Sequence, residues 1–238
     1  MDKNRIAVAT MTWARDEQEE CLLRESLTLL AQEKIPTFVA DRSSSPRFIE
    51  FLNSFPNFHL LNADSLGVFP QVKHSLLAAA DFGADFILYT EPDKKLFFAD
   101  KLLDFLLKSP LDENVGIVLA SRTSASFRTF PEFQQYTETV INNLCSEIIG
   151  KQRDYTYGPF LFNHKLASCF DLATNEIGWG WRPFLFAMAK RKGYKIVQIE
   201  NDYPCPLEQQ EDNQSERIYR MKQLSQNIDG LVLSTITS

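Results

Sequence analysis

Phe86-Ile87-Leu88-Tyr89-Thr90-Glu91-Pro92-Asp93-Lys94 is the stretch on which the reading of this chain turns. The run Phe86-Ile87-Leu88 is short, bulky and apolar, as a buried strand should be. It leads straight into two carboxylates two positions apart. In extended chain, positions i and i+2 project to the same side, so Glu91 and Asp93 are expected to converge. Two such oxygens suit Mg²⁺ or Mn²⁺, ions usually shared between protein carboxylates and substrate phosphates. The stretch therefore points to chemistry on a diphosphate-bearing substrate. The competing reading is a solvated turn, since Pro92 and acidic residues both favour turns.

Working outward, strands and helices alternate. Ile6–Met11 reads as a strand, and Asp16 is placed to cap a helix reaching about Lys34. Thr37–Ala40 is a second strand. Ser45 caps a helix with Pro46 at its first position. Phe58–Leu61 is a third strand, followed by a helix over Val68–Asp81 that stops near Gly83. Phe86–Tyr89 is the fourth strand, Leu96–Leu107 a helix, and Val115–Ala120 a fifth strand. Such alternation implies an α/β fold with a mostly parallel sheet between helical layers. Ligands bind such sheets at the carboxyl ends of the strands. Those ends carry Thr10-Met11-Thr12-Trp13, Asp41-Arg42-Ser43-Ser44, Asn62-Ala63-Asp64 and Glu91-Pro92-Asp93.

The second half is less regular. A helix runs from about Thr129 to Ile149. Tyr155–Asn163 reads as a strand interrupted by Gly158-Pro159, which fits an edge, bulge or loop. Ile177-Gly178-Trp179-Gly180-Trp181 reads as a flexible aromatic loop. A helix over Pro183–Lys192, a strand over Lys195–Ile199 and an amphipathic helix over Arg217–Ile228 follow. The expectation is one domain over 1–238, with a nucleotide-binding half at about 1–125 and an acceptor half at about 126–238.

The 238 residues are 44% apolar, enough for a full globular core, and the formal charge of −6 argues against a nucleic-acid surface. No apolar run approaches the roughly 20 residues of a membrane span. Asp2-Lys3-Asn4-Arg5 opens the chain without a signal-peptide core, so a cytoplasmic protein is expected. Cys21, Cys145, Cys169 and Cys205 form no Cys-x-x-Cys pair, and His59, His74 and His164 form no zinc spacing. Reduced, structural thiols are expected.

The order of these motifs resembles the GT-A fold glycosyltransferases, especially family 2, over roughly residues 5–200. In that family the first strand and its loop hold the nucleotide, the place of Ile6–Trp13 with Thr10 and Thr12. An aspartate ending the second strand contacts base or ribose, and Val39-Ala40-Asp41 is similar. A basic residue near the diphosphate lies on the helix before the metal strand, as Lys73 does here. The metal motif Asp-x-Asp follows the fourth strand, where this chain has Glu91-Pro92-Asp93. The acceptor segment Gly-x-Phe-Leu-Phe is similar to Gly158-Pro159-Phe160-Leu161-Phe162.

The resemblance implies transfer of a sugar from a UDP- or GDP-sugar to a hydroxyl acceptor, assisted by Mn²⁺ or Mg²⁺. Gly158, Trp179, Trp181 and Arg128 would shape the acceptor side. A non-catalytic sugar-nucleotide binder and a nucleotidyltransferase are the alternatives. The chain departs from the family in its first metal carboxylate, in Lys94 and Lys95, and in lacking a carboxylate over Gly180-Trp181-Arg182-Pro183. The loop and helix there look closer to the retaining glycerate-type enzymes. A retaining transfer is expected, with Glu176 as the base should inversion operate. Asp41 competes with a role as strand-end cap, Lys73 with a solvated helix lysine, the two tryptophans with core anchors, and Arg122 and Arg128 with salt-bridge partners.

Overall fold

A computed structural model of the chain describes residues 5–63 and 67–237. Asp64, one of the strand-end residues, lies outside them. The chain forms two compact units, Met1–Leu111 with Pro159–Ala167, and Asp112–Gly158 with Ser168–Ser238.

The first unit holds β1 (Ile6–Thr12), α1 (Glu17–Gln32), β2 (Thr37–Asp41), α2 (Pro46–Asn53), β3 (Phe58–Asn62), α3 (Val68–Asp81), β4 (Phe86–Tyr89) and α4 (Leu102–Lys108). The helix starts follow from local chemistry. The Asp16 side chain accepts the Glu19 N–H, and Ser45 accepts that of Phe48 behind Pro46. Strand β1 is central: it pairs in parallel with β2 on one side and with β4 on the other, and β3 continues beyond β2 in parallel. Val8, Leu27, Leu52, Val72, Leu76 and Leu88 are fully buried in this unit's core.

Two expectations change here. The helix expected over Leu96–Leu107 begins as a π-turn, Phe97–Lys101, and only then becomes α4. The strand expected over Tyr155–Asn163 shrinks to β6 (Phe160–Asn163), which pairs antiparallel with β4. Gly158 sits at φ +131 just before it, a backbone that breaks the extended run.

The second unit holds β5 (Val115–Arg122), the single turn α5 (Ser124–Phe127), α6 (Glu132–Ile149), α7 (Trp181–Arg191), β7 (Lys195–Asn201) and α8 (Gln214–Ile236). β5 pairs in parallel with β7. Helix α6 ends on Gly150 in the left-handed conformation, and the Asn213 side chain caps α8. Within the two units, and among the described residues, four strand pairs are parallel and one is antiparallel.

The supposed flexible loop at Ile177–Trp181 is packed. Asn175–Gly180 forms 3₁₀ turns against α8, with the Trp179 N–H donating to Gln226 Oε1 at 3.1 Å. A Cβ on Gly180 would stand 2.1 Å from the Gln226 carbonyl oxygen, and one on Gly230 would stand 2.0 Å from the Gly180 carbonyl oxygen. These two glycines permit backbone-to-backbone approach; they do not supply a hinge.

Candidate nucleotide and metal site

The carboxyl ends of β1 and β2 are laced together by side chains. Asp41, 3% exposed, accepts the Thr12 hydroxyl at 2.7 Å, the Ser44 N–H at 2.9 Å and the Ser44 hydroxyl at 2.6 Å. Ser44 Oγ in turn accepts the Ala14 N–H at 3.0 Å. Ser43 completes this turn with φ +55. From α3, the buried Gln71 side chain donates to the carbonyl oxygens of both Thr12 (2.7 Å) and Ala40 (2.8 Å). Buried polar groups without partners cost a few kcal/mol, so this fully bonded net holds both loops in one arrangement.

On this scaffold Trp13 stands 45% exposed. The Arg42 guanidinium carbon lies 4.5 Å from its ring centroid and that of Arg15 lies 5.7 Å away. Trp13 and Gln71 were not singled out from the sequence. Gln71 did leave a signal: it is a polar residue on the stripe that Val72, Leu76 and Ala79 bury.

Of the four residues expected to hold nucleotide, Thr10 is wholly buried inside β1. Thr12 is 1% exposed and its hydroxyl is committed to Asp41. Asp41 is the strand-end cap of the competing reading, with three protein donors on its carboxylate. Lys73 is half-buried on α3, two residues beyond Gln71.

Glu91 and Asp93 follow β4, but not in extended chain. Pro92-Asp93 is a turn, and just beyond it the Lys95 N–H donates to the Asp93 carbonyl oxygen at 2.9 Å. The alternation argument for their convergence therefore does not apply, and the turn reading of Pro92 holds for the backbone. Both side chains are half-buried, with Glu91 Oε2 and Asp93 Oδ1 shielded from solvent. Hard carboxylate oxygens in such a setting fit a divalent cation that takes its remaining ligands from phosphates and water. Among the described residues no group of three or more His, Cys, Asp and Glu could hold a metal by itself. Lys95, one of the two lysines by which the chain departs from the family here, has its Nζ 2.6 Å from Glu25 Oε2 on α1.

The second unit places its candidates differently. Trp181 is fully buried and edge-on to Phe170 at 6.1 Å, so its ring is a core anchor and not a sugar platform. Trp179 is half-buried and Glu176 and Arg128 are exposed, the latter ending α5. Arg122 is no surface group. Its guanidinium bonds Asp154 (2.7 and 3.0 Å), Glu138 (2.6 Å) and Thr156 (2.9 Å), with the Phe130 ring 4.5 Å away. Burial alone would raise the Asp154 carboxyl, but the Arg122 charge and hydrogen bonds outweigh it and hold it at about 2.

The strand order and parallel pairing belong to the α/β class of GT-A folds. Solved structures share this fold. Glucosyl-3-phosphoglycerate synthase from Mycobacterium tuberculosis, in complex with Mn²⁺, UDP-glucose and phosphoglyceric acid, aligns with TM-score 0.63 at 13% identity, over 99% of this chain and 81% of that one. The same enzyme in complex with UDP aligns with TM-score 0.63 at 12% identity, over 99% and 82%. Its complex with Mn²⁺, UDP-glucose and glycerol 3-phosphate aligns with TM-score 0.60 at 10% identity, over 96% and 80%. At these identities the likeness is one of fold. No family model matches the chain, and no curated protein sequence does. Among the described residues no helix is long and apolar enough to cross a membrane.

Proposed function

We propose that this chain is a glycosyltransferase that moves a sugar from a UDP-sugar to a hydroxyl acceptor with Mn²⁺ or Mg²⁺. The observation that carries this reading is the pair of shielded carboxylate oxygens, Glu91 Oε2 and Asp93 Oδ1, directly after β4. They occur in a fold whose neighbours were solved with UDP and Mn²⁺. A UDP-sugar is preferred over a GDP-sugar because UDP and UDP-glucose are the nucleotides in those neighbours. The cytoplasm is the proposed compartment.

In this reading Glu91 and Asp93 hold the cation, which when bound neutralises charge building up on the departing diphosphate. Lys73 contributes a positive charge towards the same phosphates. Asp41 acts by fixing the loops after β1 and β2. Trp13 offers a flat apolar face for the base, with Arg42 and Arg15 beside it. Arg128, Gly158 and Trp179 are the proposed acceptor-side groups. Arg128 suits an anionic acceptor such as the phosphoglyceric acid and glycerol 3-phosphate of the neighbours.

The test is UDP binding by calorimetry with and without Mn²⁺, on wild type and Asp93→Asn. The wild type is expected to bind UDP at least tenfold more tightly with Mn²⁺, and Asp93→Asn to lose that gain while melting at the same temperature. Equal affinities in excess Mn²⁺ would overturn the metal assignment. Turnover of UDP-glucose then separates an enzyme from a binding protein.

A further inference from the structure

Helix α6 buries a mixed face, in which polar residues sit beside Ile141, Cys145 and Ile149, and it leaves a row of apolar residues exposed on the other. Gln134, Thr137, Glu138, Asn142 and Ser146 are all buried, whereas Tyr136, Val140, Leu144 and Ile148 are 62%, 43%, 37% and 39% exposed. The inward polarity has a cause. Glu138 accepts from Arg122 and from Gln134, and Asn142 donates to Asp154 while accepting the Tyr155 N–H. These buried bonds fix the rotation of the helix. Ile141, Cys145 and Ile149 turn inwards with the polar residues, and Tyr136, Val140, Leu144 and Ile148 are left on the outer face. Single exposed apolar residues are ordinary, but four at successive i+4 positions form a continuous ridge, which marks a contact surface.

The ends of this ridge carry opposite charge. Glu132 is exposed at the N-terminal end, where it accepts the Tyr136 hydroxyl at 2.6 Å, and Lys151 is exposed just past the C-terminal end. The ridge is also symmetric along its length: Tyr136 and Ile148, like Val140 and Leu144, are equidistant from position 142.

We infer that the ridge is the contact surface for a second copy of this chain, the two α6 helices packing antiparallel about a two-fold axis near position 142. Antiparallel packing sets Val140 against Leu144 of the second copy and Tyr136 against Ile148. It also turns each Glu132 towards the Lys151 end of the other helix, where a parallel pair would oppose like charges. A two-fold contact of this kind is self-complementary and closes at two copies. An anionic membrane is disfavoured by Glu132 and Glu147 on the same exposed face and by the net charge of −6. One helix face is smaller than the roughly 800 Å² per partner of a standard interface, so the dimer should depend on concentration.

Sedimentation velocity on the full chain across a concentration series reads this directly. The wild type is expected to pass from monomer to dimer, and Leu144→Glu to stay monomeric with unchanged circular dichroism and melting temperature. Glu132→Lys should weaken the dimer, and adding Lys151→Glu should restore it. In a Cys21→Ser background, Asn143→Cys, beside the axis, should form an intermolecular disulfide under mild oxidation. Monomer at every concentration, or a dimer indifferent to Leu144→Glu, would overturn the inference. So would flotation with phosphatidylcholine–phosphatidylglycerol vesicles that Leu144→Glu abolishes, since the ridge would then be a membrane surface.

Discussion

Thr12 donates its hydroxyl to Asp41 across 2.7 Å, so the ends of β1 and β2 are joined by side chains as well as by the strand ladder. The bond makes Asp41 the centre of a net that also fixes Ser44 and, through it, Ala14. In the proposed function this net shapes the loops that meet the nucleotide.

Removing the carboxylate should therefore loosen both loops. Asp41→Ala is expected to lower UDP affinity about tenfold, since hydrogen bonds to a charged group contribute about 1.5–3 kcal/mol. The loss should appear without metal as well as with it. Calorimetry in EDTA checks this, and an unchanged affinity would show that the loops hold their shape without Asp41.

The Arg122–Asp154 pair sets an acid limit. Asp154 has its carboxyl lowered from 3.8 to about 2, so the folded state binds fewer protons than the unfolded chain over that window. Its contribution is complete above the unfolded value and is lost as pH falls from about 4 to about 2. Glu138 still faces Arg122 when the Asp154 charge is removed, so Asp154→Asn should destabilise at neutral pH by less than the roughly 3–5 kcal/mol of a fully broken buried pair. The variant's remaining stability should fall less steeply across that acid window. Urea titrations at pH 7 and pH 3 measure both effects.

Thiol reactivity should separate the cysteines. Cys21 is exposed, while Cys145, Cys169 and Cys205 are buried. Burial pushes the Cys145 thiol up to about 12, and the Cys169 thiol is raised for the same reason. Because the thiolate is the reactive form, a disulfide reagent should titrate one thiol in the native protein and four in guanidinium. Rapid native reaction of Cys145 would mean that α6 opens readily.

The stereochemistry of transfer is also testable. Inversion needs a positioned base for the acceptor proton, and Gly180–Pro183 supplies none. Trp181 and Arg182 begin α7, buried, and Glu176 stands exposed on the preceding turn. Retention, with the leaving phosphate accepting the proton, is therefore expected. NMR of the first-formed anomer decides it: an inverted product, with turnover lost in Glu176→Gln, would reverse the assignment and identify the base.

Local chemistry in the sequence determined the starts of α1 and α2 and the limits of β2, β3 and β4. Asp16 and Ser45 cap the helices they were expected to cap, and β2, β3 and β4 end within a residue of their expected limits. These features depend on neighbours a few positions away, through periodicity, capping and proline, and the sequence displays such neighbours directly. The carboxylates after β4 were legible in the same way, though the turn at Pro92-Asp93 orients them differently from an extended strand. Tertiary structure decided whatever rests on distant partners. Arg122 was open to a role at the surface until Glu138 and Asp154, 16 and 32 residues away, enclosed it. Gly180 could be read as flexibility until the Gln226 carbonyl came close enough to exclude any side chain. The outward ridge of α6 has the same origin: the helical period was plain, but which stripe turned inwards was settled by buried hydrogen bonds. The inward face satisfies those polar groups and buries Ile141, Cys145 and Ile149 at once, and leaving the polar groups unpaired would have been costly.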